Sequence, residues 1–175
     1  FQAAESFAEN RRNRAGDWNL YFHVFNAFEA ANWYDIKVFE DFFGFDTGAT
    51  EIKWAAMKQN YEITARGSLP TPQTGAEDLL DVLFPLAGCG RYAGIGVSVP
   101  GYISDGVSGI VRGGGHLRYL DGFPLGAALR ERCETPVYVE NDGKCCAVGE
   151  YEFGALRGSH IGVVLNIGTG IGGGI

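Results

Sequence analysis

Positive charge is scarce in this chain. Its 175 residues carry 14 Lys and Arg against 21 Asp and Glu, a formal net charge of −7. A nucleic-acid surface needs clustered Lys and Arg, so this balance argues against a nucleic-acid partner. A small anionic ligand stays open, since backbone N–H groups and a metal can hold phosphates. Cysteine is sparse too. Cys89, Cys133, Cys145 and Cys146 show no CxxC spacing, read as small buried hydrophobes, and fit a reducing cytoplasm better than secretion. Long apolar runs are missing: the glycine-rich stretch 161–175 is shorter than the ~20 residues of a membrane span. No charged-then-apolar leader opens the chain, which argues against a signal peptide. His23, His116 and His160 are scattered, and neither a G-x-S-x-G elbow nor a Walker loop occurs.

What is present describes a globular chain, 46% apolar and 20% charged. Nine of the twelve Phe fall in the first 45 residues, whereas most of the 27 Gly come after residue 87. That shift sets off residues 1–37 as an extension of unknown role. Within 19–32, Phe22, Phe25 and Phe28 recur at helical spacing, with Asp17 as a candidate cap. From residue 38 the pattern predicts strands over 38–45, 52–57 and 61–66, the first ending in a turn at Asp46, Thr47 and Gly48. Pro70 and Pro72 predict a loop, followed by a helix over 75–86 and a buried strand over 93–99 stopped by Pro100 and Gly101. Residues 102–123 read as loop. Next come a helix over 124–133 with Pro124 in its first turn, a strand over 136–140, a helix over 143–155 and a strand over 161–167. A meander succeeded by alternating strands and helices indicates an α/β chain with a mixed sheet.

Three segments carry chemistry. In FGFDTGATEIKW (43–54), a strand, a tight turn and a second strand place Asp46 beside Gly48, Thr47 and Thr50. Gly48 permits close backbone approach to a ligand, and Asp46 suits a metal-bound water near a polyphosphate. The same residues also read as an ordinary hairpin turn. Asp-Thr-Gly is the aspartic-protease tripeptide as well. That chemistry needs two carboxylates sharing a proton, and hence here a homodimer, because no second tripeptide occurs. In PVYVENDGKCCAVGEYEFGA (136–155), a strand delivers Glu140, Asn141 and Asp142 to a helix start. There the helix dipole favours the ionised form of Asp142, which suits it to accept a proton from a hydroxyl. Asn141 or Asp142 serving only as a cap is the plainer alternative. In LNIGTGIGGGI (165–175), Thr169 between Gly168 and Gly170 makes a phosphate cradle at a strand end. The match to G-x-G-x-x-G there is weak, because a glycine-rich strand suits Gly-Gly-Gly-Ile (172–175) better than a helix.

In this order the segments resemble the ROK family (repressors, open reading frames and kinases), from about Phe43 to Ile175. FDTGAT resembles its first phosphate motif and GIGVSVPG (94–101) its sugar-side loop. VENDG (139–143) resembles its catalytic segment and NIGTGIGGGI (166–175) its second phosphate motif. The wording is most similar to the glucoside- and aminosugar-kinase branch. The resemblance implies an actin-like ATPase (ribonuclease H-like) fold, with a first α/β lobe over 38–133 and a truncated start of the second over 134–175. It implies ATP-dependent phosphorylation of a sugar hydroxyl with Asp142 as general base. Ser98, Gly115 and Asn141 join Asp142 around the sugar, and Asp46, Gly48, Thr50, Gly168, Thr169 and Gly170 surround ATP and Mg²⁺. The resemblance also implies that Asp46 holds the metal through water.

The resemblance further implies a cytoplasmic enzyme, a homodimer at full length, and a structural Zn²⁺ site in family parts not found in these 175 residues. The chain alone is expected to have little kinase activity. Two departures from the family pattern are Ala49 in place of the motif's second glycine and Glu51 where Lys is frequent, with Lys53 nearby. The family also includes sugar-responsive transcription repressors, which need an N-terminal helix-turn-helix. Residues 1–42 offer one clear helix and an aromatic composition, and both phosphate motifs are retained, so the kinase is the preferred expectation.

Overall fold

A computed structural model describes residues 41–88, 90–167 and 170–175. The extension 1–37 with its expected helix, Cys89, Gly168 and Thr169 lie outside the described residues.

Strands β1 (Asp41–Thr47), β2 (Glu51–Lys58) and β3 (Ile63–Pro70) form the expected meander. Helix α1 (Ala76–Ala87) leads to β4 (Ile95–Val99) and a small hairpin, β5 (Tyr102–Ile103) with β6 (Val111–Arg112). Helix α2 (Leu125–Cys133), strand β7 (Val137–Asn141), helix α3 (Asp142–Phe153) and strands β8 (Val164–Ile167) and β9 (Ile171–Gly174) complete the order. The main sheet has five strands in the order β3-β2-β1-β4-β7. Its first three strands are antiparallel, and β4 and β7 run parallel to β1. The mixed α/β sheet expected from the sequence is therefore present. β7 lies on the second-lobe side of the 133/134 division, yet it is the fifth strand of this sheet.

The sheet is covered on both faces, and β4 shows why. All five of its residues, Ile-Gly-Val-Ser-Val, are buried, the continuous pattern of a central parallel strand. One face presents Phe43, Phe45, Val97, Val99 and Val139 to Leu79, Leu80 and Leu83 of α1 and Leu125 and Leu129 of α2. Each such side chain contributes about 1.5–3 kcal/mol when fully buried. On the β2–β3 side the Trp54 indole stacks on Phe43, ring centroids 5.6 Å apart, and lies over Gly67. A Cβ there would come 2.7 Å from the indole, so no larger residue fits under it. The other face carries Phe42, Met57 and Ala93, and the end of α3 reaches Tyr61 through Phe153.

Several boundaries differ from the sequence pattern for local reasons. β1 continues through Asp46 and Thr47, so the turn falls at residues 48–50. Thr71 pulls that turn against the end of β3: its N–H donates to the Thr50 carbonyl at 3.0 Å and its hydroxyl to the Gly48 carbonyl at 2.8 Å. β3 runs on to Pro70, where an edge strand tolerates the missing N–H. Pro124 precedes α2 as its cap residue rather than sitting in its first turn.

The β8–β9 hairpin packs on α3 through backbone. A Cβ on Gly143 would lie 2.4 Å from the Gly173 carbonyl oxygen, and one on Gly174 2.6 Å from that of Gly143. Large aliphatic side chains of the same hairpin, Leu165, Ile167 and Ile171, are 71–83% exposed.

Candidate active site

Parallel pairing of β1, β4 and β7 lines up their carboxyl ends. In register, one row crosses the sheet as Ser68, Lys53, Asp46, Ser98 and Glu140, a polar row beside apolar ones. Ser98 is fully buried and donates to Asp46 Oδ1 at 3.0 Å. Its hydroxyl is thus spent on the carboxylate, not turned to solvent. Glu140 accepts from the backbone N–H of Asn141 at 2.7 Å and pairs with Lys144 at 3.3 Å.

The row ends at the start of α3. Asn141 is the cap: its Oδ1 accepts the Lys144 N–H at 3.1 Å. Its Nδ2 donates to the Gly101 carbonyl at 2.7 Å and to Asp142 Oδ1 at 2.9 Å. Asp142 is the first helical residue, and Oδ1 also accepts the Gly143 N–H at 2.8 Å. From the sequence, the helix start is expected to hold Asp142 ionised. In the structure burial, with the nearby Asp46 charge adding to it, raises the carboxyl above its ordinary range. The hydrogen bonds from Gly143, Asn141 and its own amide offset this only in part. Burial, then the charges of Glu140, Asp46 and Asp142, also push the Cys145 thiol well up, so it is a neutral packing group.

Asp46, Ser98, Asn141 and Asp142 therefore come together as one cluster. Gly48 and Thr50 belong to the turn after Asp46. A Cβ on Gly48 would lie 2.8 Å from the Glu51 carbonyl, which explains glycine there. Thr50 is exposed, and the N–H groups of Ala49 and Thr50 donate to no described residue. Gly115, at φ +60°, abuts the cluster indirectly: a Cβ on it would stand 3.5 Å from Pro100, next to the Gly101 that Asn141 holds. Gly170 is exposed with open space around it, while a Cβ on Gly172 would come 4.0 Å from Asp142 Oδ1. The glycine-rich hairpin thus stands beside Asp142. Sequence reasoning missed Glu140 and Lys144 as a pair, because their i,i+4 spacing straddles a strand–helix junction. It also missed Thr71, which acts across 23 residues with no local signal.

A family model described as the ROK family matches residues 42–175. The chain belongs to the ROK family. Among its relatives is the "Beta-glucoside kinase" of Klebsiella pneumoniae, 38% identical over 133 residues, which are 75% of this chain and 44% of the relative. A ROK hexokinase from Thermus thermophilus matches with a TM-score of 0.65 and 29% identity, over 77% of this chain and 46% of its own. A ROK family glucokinase from Streptomyces griseus, solved with glucose and AMPPNP, gives a TM-score of 0.65 and 27% identity, over 75% and 42%. The fold is that of the actin-like ATPases, as expected. This ROK chain spans less than half the length of curated relatives such as the β-glucoside kinases it matches. Its Asp-Thr-Gly tripeptide is set in that fold, with Asp46 facing Ser98 and Asp142 of the same chain.

Proposed function

We propose that this ROK chain contributes to ATP-dependent phosphorylation of a sugar hydroxyl, with Asp142 as the general base. The observation that carries the reading is Asp142 itself. It is a carboxylate raised above its ordinary range, fixed at a helix start, and electrostatically coupled to Asp46 of the first phosphate motif. A base held closer to the working pH accepts a hydroxyl proton more effectively. The sugar lies against Asn141, Asp142 and Gly115, with Ser98 acting from beneath through Asp46. Relatives named for β-glucosides and glucose support a hexose, glucoside or aminosugar as acceptor.

The residues present fit ATP and Mg²⁺. The Ala49 and Thr50 N–H groups are free to donate to phosphate oxygens, and Gly48 keeps that turn tight. Asp46 has one carboxylate oxygen engaged by Ser98 and none paired to a cation among the described residues, which suits it to hold Mg²⁺ through water. Bound there, Mg²⁺ would offset charge on the phosphate oxygens. Gly168, Thr169 and Gly170 are assigned to the same phosphates. In the reaction Asp142 takes the hydroxyl proton, the sugar oxygen bonds to the γ-phosphorus, and ADP leaves. The chain's own contribution is positioning and charge.

The test is ADP release by the whole gene product with glucose, cellobiose and N-acetylated hexosamines, wild type against Asp142→Asn. Removing a general base lowers turnover by about 10²–10⁴-fold. Equal turnover in the variant would refute the assignment of Asp142.

A further inference from the structure

We infer that Thr71 and Gln73 are positioning residues for the nucleotide. They aim the N–H groups of the 48–50 turn by holding the carbonyls on the far side of the same peptide units. The inference rests on the reading of that turn as the phosphate turn and says what gives the turn its shape.

A trans peptide is planar, so its carbonyl and the next residue's N–H point in opposite directions. The Gly48 carbonyl accepts from the Thr71 hydroxyl at 2.8 Å, which sets the direction of the Ala49 N–H. The Ala49 carbonyl accepts from Gln73 Nε2 at 2.9 Å, which does the same for the Thr50 N–H. Both N–H groups aimed in this way donate to no described residue. The Thr50 carbonyl takes the Thr71 backbone N–H at 3.0 Å, so residues 71–73 hold all three carbonyls of the turn. The opposite side is left presenting N–H groups, the partners an anion needs.

The turn does not supply this shape by itself. Ala49 and Thr50 form a two-residue loop closing the β1–β2 hairpin, yet neither has the positive φ of the turns that suit such loops. The clamp is anchored in its turn. Thr71 is buried, and Gln73 Nε2 also donates to the Thr71 carbonyl at 2.9 Å. Between them the Pro72 carbonyl accepts from the Tyr119 hydroxyl at 2.7 Å. Tyr119 stands four residues beyond Gly115, so the clamp is tied to the loop assigned to the sugar.

The test is calorimetric binding of Mg²⁺ with AMPPNP to the whole gene product, which depends neither on turnover nor on which sugar is the acceptor. Thr71→Val keeps the shape and the backbone N–H but loses the hydroxyl, and Thr71→Ser restores it. Thr71→Val is expected to weaken binding about 3–10-fold, the worth of one hydrogen bond, with Thr71→Ser near wild type. Amide exchange at Gly48 and Thr71 quickens in Thr71→Val without nucleotide. Gln73 is exposed, so Gln73→Ala weakens binding in the same direction without touching the core. Ala49→Pro tests the reading of the turn itself. It deletes one N–H at a first turn position of negative φ, where proline is favoured, and should weaken binding about tenfold. If Ala49→Pro weakens binding while Thr71→Val and Gln73→Ala do not, the inference is overturned and the phosphate turn stands. A loss in Thr71→Val that Thr71→Ser does not restore assigns Thr71 to packing and also overturns it. If Ala49→Pro binds like wild type, the reading of the turn falls and the inference with it.

Discussion

Thr47 sits one residue beyond Asp46 and points to the opposite face of β1, where its hydroxyl is buried without a hydrogen-bond partner among the described residues. A buried unpaired hydroxyl costs about 1–3 kcal/mol, and replacing it with a methyl of the same shape removes that cost. Thr47→Val is expected to stabilise the chain by about 1 kcal/mol in urea or thermal unfolding; a destabilised variant would reveal a partner for the hydroxyl. Asp142 behaves in the reverse sense with pH. Its native titration is raised, so its contribution to stability is present below the unfolded-state value and is lost as pH rises through the native one. Asp142→Asn is thus expected to melt above wild type at neutral pH, with the gap closing as the solution is acidified. A gap independent of pH contradicts the raised titration. The residue types of this site were legible in the sequence, because Asp46, Asn141 and Asp142 stand in short motifs with turn and cap chemistry. Their electrostatics were not, since Asp142 is buried beside β9 and feels the charge of Asp46, 96 positions away in sequence order.

At the level of elements, the β8–β9 hairpin depends on glycine more than on side chains. Gly143 of α3 lies so close to β9 that a Cβ would stand 2.4 Å from a backbone oxygen that has no rotamer with which to yield. Gly143→Ala is expected to cost about 1–3 kcal/mol as an overpacked contact. Hydrogen exchange should quicken over 164–167 and 171–174 while β1, β4 and β7 stay protected. Gly170→Ala, set in open space, is the control and should leave exchange unchanged. The helices and strands of the main sheet were readable from period and punctuation, for example Leu79, Leu80 and Leu83 along α1. The β5–β6 hairpin was not, since two-residue strands leave no periodic trace inside a glycine-rich stretch. Nor does any local pattern record that β3 continues to Pro70, which results from the pull of Thr71 on the β1–β2 turn.

Across the whole molecule, apolar surface is distributed unevenly. The main sheet hides its Phe, Val and Ile side chains on both faces, whereas Leu165, Ile167 and Ile171 leave their hairpin exposed. Ile167 and Ile171 are register partners at the end of the hairpin, 83% and 81% exposed, and Leu165 stands two residues along on the same face. Contiguous aliphatic exposure of this kind favours association, and an exposed strand edge adds unpaired backbone groups. The net charge of −7 works against close approach at low ionic strength and does so less as salt screens it. The 175-residue chain is therefore expected to self-associate as concentration and salt increase. The double variant Ile167→Lys with Ile171→Thr should shift it toward monomer in light scattering after size-exclusion chromatography, with its melting temperature little changed because neither side chain packs in the core. Association that is unaffected by the double variant would place the contact elsewhere, and association that weakens as salt rises would make it electrostatic.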